Sequence, residues 1–141
     1  MIRVFIFLVV LSTISCTASK KTVEEKVIQT PTKQIVGVPA IRFDDAYHNF
    51  GDVIQGETRE KIYSFANTGN ADLLIELVTA CTCTDVDWPR HALKPGERGA
   101  IRVIFNSAGK EGETKVDVDV ISNTDPIVAT AVFRANVVVP E

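Results

Sequence analysis

From Pro39 onward, apolar residues recur at every second position. In Lys115–Ile121, Val116, Val118 and Val120 alternate with Asp117 and Asp119, so one strand face meets a core and the other meets water. The same period places Ile41 with Phe43, Tyr63 with Phe65, and Ile101 with Val103 and Phe105, opposite Arg102. Leu73, Ile75 and Leu77 fall on one side of a further strand, with Leu74 and Val78 suggesting burial on both faces. Ile127–Val139 reads as a long terminal strand, bent or bulged near Ala135 and Asn136. Turn-forming clusters separate these runs: Gly51, Gly56, Asn67–Asn70, Lys94–Glu97, Ala108–Glu113 and Ser122–Pro126. No helical period of useful length follows Val38. The pattern predicts an all-β fold, an immunoglobulin-like antiparallel β-sandwich of about seven strands spanning 39–141. The Cys…Trp…Cys spacing of antibody domains is absent.

The chain before Pro39 has a different character. Thr17–Val38 is polar, of mixed charge and broken by Pro31 and Gly37, which predicts a flexible tether over 16–38. Ahead of it, "MIRVFIFLVVLSTISC" carries one early positive charge, Arg3, then the apolar run Val4–Leu11, then small residues to Ser15. That is the layout of a secretory signal peptide over 1–15. The run falls short of the ~20 residues a membrane-spanning helix needs. "TISC", Thr13–Cys16, resembles the lipobox of bacterial lipoproteins, although Thr13 stands where an aliphatic residue is usual. The resemblance implies cleavage before Cys16 and a lipid on its sulfur. It therefore implies a membrane partner through a lipid anchor, and a place in the bacterial cell envelope, at the outer membrane or facing the periplasm. Acyl chains on both the sulfur and the new amino terminus would hold stably where one chain holds marginally.

With 15 basic and 18 acidic residues the net charge is −3. No basic cluster is present, so nucleic acid is not an expected partner. Of three cysteines, Cys16 is assigned to lipid, leaving Cys81 and Cys83 in "ACTCT", in an exported and oxidising setting. Four readings stand for this pair: an intramolecular disulfide that is easily reduced, inert buried thiols, half of a soft-metal site, or a bridge to another chain. In an extended strand the two α-carbons would lie ~6.6 Å apart, the upper edge of disulfide geometry. The β-branched Thr82 favours that extended form, with a local kink the alternative. A copper or zinc ion would need further ligands, for which His91 and His48 are the available imidazoles. His48 also reads as a turn residue bonded to backbone, and His91 as a solvated loop residue. Trp88 reads as a cover over one end of the sandwich or as a surface anchor for a partner.

Five stretches in order, "FDDAYHNFGDVIQGE", "YSFANTGNADLLI", "ACTCTDVDWP", "LKPGERGAIRVIFNSAGKEGE" and "VISNTD", resemble the bacterial family known only as domain of unknown function 1573. The resemblance covers Ile41 to Asn136. It departs at Thr82, where a glycine is usual, and at Asn49, where an acidic residue is common. It implies an immunoglobulin-like domain related to Hydin-type and major-sperm-protein-like modules, commonly exported and often lipid-anchored. No nucleophile–base–orienter set is recognisable. The expectation is a non-catalytic, protein-binding or scaffolding lipoprotein. The alternative is a thiol site at Cys81 and Cys83 for soft-metal binding or disulfide exchange. Solvent access to the two sulfurs separates these readings.

Overall fold

Alternation of period two yields strands wherever one face finds an apolar partner, and eight form among the described residues. They are β1 (Ile41–Phe43), β2 (Tyr47–Ile54), β3 (Thr58–Asn67), β4 (Ile75–Thr79), β5 (Thr84–Asp87), β6 (Arg98–Asn106), β7 (Gly112–Ser122) and β8 (Val128–Val138). This computed structural model describes residues 37–141. The expected signal peptide, Cys16 and the tether as far as residue 36 lie outside the described residues. One sheet has the order β1-β3-β6-β5 and the other β2-β8-β7-β4. The two pack face to face as an immunoglobulin-like β-sandwich.

The core is the sum of the inward alternations. Tyr63 and Phe65 from β3, Ile101, Val103 and Phe105 from β6, Val116, Val118 and Val120 from β7, and Phe133 from β8 are all buried. Phe105 and Phe133 meet across the sheets with ring centroids 5.2 Å apart, and Phe50 packs edge-on to Phe133 at 5.3 Å. Each such ring contributes about 1.5–3 kcal/mol by leaving water. The Tyr63 hydroxyl donates to the Val132 carbonyl at 3.0 Å, a bond from one sheet to the other. Burial, with the Asp45 carboxylate, pushes the Tyr63 phenol well above its ordinary range, so it stays a donor.

Three details differ from the sequence expectation. Tyr47–Ile54 was expected to hold a turn at Gly51 and is instead a strand, β2, paired in parallel with β8. Its register shifts between Asn49 and Asp52, where Gly51 takes a φ of 68° that glycine alone adopts freely. The expected bulge near Ala135–Asn136 therefore lies in the facing strand, while β8 pairs with β7 without interruption there. In β4 the register shifts between Ile75 and Leu77. Leu73, Ile75 and Val78 are buried while Leu77 turns out to solvent.

Candidate functional site

The two cysteines lie in the connection that carries the chain from β4, an edge of one sheet, to β5, an edge of the other. Cys81 and Cys83 are joined by a disulfide, their α-carbons 5.1 Å apart. The expected extended form gives way to a turn. The Thr84 amide donates to the Cys81 carbonyl at 3.0 Å, and the Thr84 hydroxyl donates to the same oxygen at 2.8 Å. The Asn106 amide of β6 donates to the Cys83 carbonyl at 2.9 Å, docking the turn on the sheet. Both cysteines are half-buried and pack at the margin of the core. Cys83 also lines an open cleft of about 310 Å³, with Thr82, Asp85, Asn106 and Lys110 among its walls.

The two histidines lie apart from this pair in the fold. His48 is on β2, opposite Phe133 in the ladder, its ring edge-on to Phe50 at 4.6 Å. It is a strand residue, not a turn residue. Burial, then the Lys61 charge, lower its pKa against an opposing pull from Asp45, so the neutral ring is favoured. His91 is exposed in the loop after Trp88. Among the described residues, no three His, Cys, Asp or Glu side chains are grouped so as to hold a metal ion. Trp88 is half-buried against the core margin, and the Arg90 guanidinium lies 3.5 Å from its ring centroid.

Four strands are sheet edges, and they differ in what they present to solvent. β1 is only three residues long. β2 carries the Gly51 irregularity and exposes Asp52, and its exposed apolar residues, Tyr47 and Ile54, stand apart at its two ends. β5 exposes Asp85 and Asp87. Shortness, bulges and charge all discourage pairing with another chain. β4 also has a shifted register, but there the shift places Leu77 opposite Ile121 of β7, and Ile121 stands opposite Val128 of β8. These three form a row on the outer face of the sheet. Leu77 is 44% exposed, Val128 41%, and at the same end Leu74 is 38% and Ile127 62% exposed. The loop there is fixed, because the Asn123 side chain accepts from the Leu74 amide at 2.8 Å and donates to the Asp72 carbonyl at 3.0 Å. This row was not among the expectations drawn from the sequence. Its one visible sign is Ile121, apolar at an outward position just after Val116, Val118 and Val120 face inward.

No curated protein matches the chain. Solved structures that share its fold include three from different sources. A protein of unknown function from Porphyromonas gingivalis W83 is 20% identical with a TM-score of 0.58, over 71% of this chain and 46% of that one. The secreted serine protease VesC from Vibrio cholerae is 14% identical with a TM-score of 0.53, over 71% of this chain and 23% of that one. The ASH/PapD-like domain 7 of human CEP192 is 13% identical with a TM-score of 0.55, over 72% of this chain and 87% of that domain. The chain thus spans less than half the length of the first two, and at these identities the likeness is one of fold. Residues 41–137 match the family described as protein of unknown function, DUF1573, and the chain belongs to that family.

Proposed function

We propose that this chain is a non-catalytic lipoprotein of the bacterial cell envelope, whose sandwich binds another protein through the β4 edge. The observation that carries this reading is the outward-facing row Leu77–Ile121–Val128, in which Ile121 is half-buried between exposed Leu77 and Val128, flanked by exposed Leu74 and Ile127. A register shift that turns a leucine into water serves no packing purpose. It is useful if an extended segment of a partner lies along β4, pairing with its backbone and covering the row with its own apolar side chains. The lipobox-like "TISC" supports an anchor at Cys16 that holds the module at a membrane surface.

The test compares Leu77→Lys with Ile62→Lys. Ile62 is 52% exposed on the other sheet, so the control matches in residue type and exposure. Each variant is used to capture cross-linked partners from the cell envelope, and melting is recorded alongside. Leu77→Lys should lower capture by about tenfold or more, the weight of one well-buried anchor residue, with melting unchanged. Equal capture by both variants contradicts the assignment of the β4 edge. A concentration-dependent dimer of the isolated protein, lost in Leu77→Lys, would name a second copy as the occupant.

A further inference from the structure

We propose that Cys81–Cys83 is a thiol–disulfide exchange site for a protein dithiol, and that Cys83 is the sulfur attacked. Both cysteines sit in one turn, at a sequence separation of 2. Their bond therefore ties no two elements together and closes the kind of loop that constrains an unfolded chain least. The turn does not depend on it. Thr84 donates twice to the Cys81 carbonyl and Asn106 donates to the Cys83 carbonyl, while β4 and β5 are held by their own ladders to β7 and β6. The two sulfurs thus remain neighbours after reduction. That suits a pair that opens and closes, and adds little to a staple.

Both cysteines are half-buried, but their surroundings differ: the cleft beside the turn is lined by Cys83 and not by Cys81. Lys110 and Asp85 are the charged side chains in that wall, and Lys110 is the one whose charge would attract an incoming thiolate. A partner thiolate attacks the Cys83 sulfur. The sulfur–sulfur bond breaks, its electron pair leaves on Cys81 as thiolate, and a mixed disulfide forms at Cys83. The partner's second thiolate then attacks its own sulfur in that mixed disulfide and releases Cys83 as thiolate. Two electrons pass from partner to pair, and the two protons given up by the partner thiols are taken up by Cys81 and Cys83. The reverse, with a partner disulfide, restores the bond.

The experiment uses the full chain in reduced and oxidised dithiothreitol, with alkylation and mass mapping of the tryptic peptide spanning 62–90, which excludes Cys16. The expected result is a reversible passage from no label to two labels in the folded protein. Cys81→Ser, which leaves Cys83 free, should react with dithionitrobenzoate about fivefold or more faster than Cys83→Ser, because access and thiolate character set such rates. Lys110→Ala should slow the Cys81→Ser reaction about threefold at low salt, with less effect at high salt. A pair that resists the dithiol until the protein unfolds overturns the proposal. So do equal or reversed rates for the two single variants. The reduction experiment needs no variant, so a misfolded mutant does not weaken the test, and it is independent of the β4 edge.

Discussion

Asn67 shows how one polar side chain can organise several loops. It is fully buried at the end of β3. Its amide nitrogen donates to the carbonyls of Ala71 at 2.7 Å and Leu93 at 3.0 Å, and its side-chain oxygen accepts from the amides of Gly69 at 3.0 Å and Ala40 at 3.3 Å. Asn67→Ala removes four hydrogen bonds and leaves the part-buried Ala40 and Gly69 amides and Ala71 carbonyl short of a partner, while the Leu93 carbonyl keeps the Leu73 amide. A loss of about 2–4 kcal/mol in denaturant melts is expected. A loss below about 1 kcal/mol would mean that water replaces the side chain. The sequence marked Asn67 as one residue of a turn cluster, which is correct and incomplete. A turn signal is local, whereas Leu93 and Ala40 are each more than twenty residues away. The cysteine turn was partly legible in the same way. The spacing of Cys81 and Cys83 required proximity, and they lie 5.1 Å apart. The turn itself comes from Thr84 and Asn106, one of them on another strand.

Elements with long regular alternation were read correctly. β7 is the clearest, with Val118 fully buried while the Asp117 side chain is half-exposed beside Lys115. Val118→Ala should destabilise by about 1–3 kcal/mol through lost methyl burial and the cavity left behind. Asp117→Asn should change stability by less than about 0.5 kcal/mol. Similar losses from both would place β7 in the wrong register. β2 was not legible, because its alternation is interrupted at Gly51 and its partner β8 lies some eighty residues away in a parallel pair. The outward Leu77 was missed for a related reason. A register shift is a property of two paired strands, and β4 alone shows only five residues, of which Glu76 is the one charged. Gly99 carries a similar constraint: a β-carbon there would strike the ring of Phe65, its partner in the β3–β6 ladder.

At the scale of the whole molecule, strand count, sheet pairing and family membership follow from the region after Pro39, and the proposed address in the cell follows from the region before it. The anchor has its own test. Intact mass of the membrane-extracted protein should show a chain beginning at Cys16 and carrying acyl chains, and Cys16→Ser should release soluble protein or leave the precursor uncut. A mature chain without Cys16, or with Cys16 unmodified, would contradict the anchor and leave the β4 edge untouched. The edge is the central claim, and site-specific photo-cross-linking in intact cells tests it most directly. A photoreactive residue is placed at position 77 on β4, and separately at position 62 on β3, where Ile62 is 52% exposed on the other sheet. The account predicts a discrete cross-linked protein from position 77 and none from position 62. Cross-linking from position 62 alone, or from neither position, would contradict it.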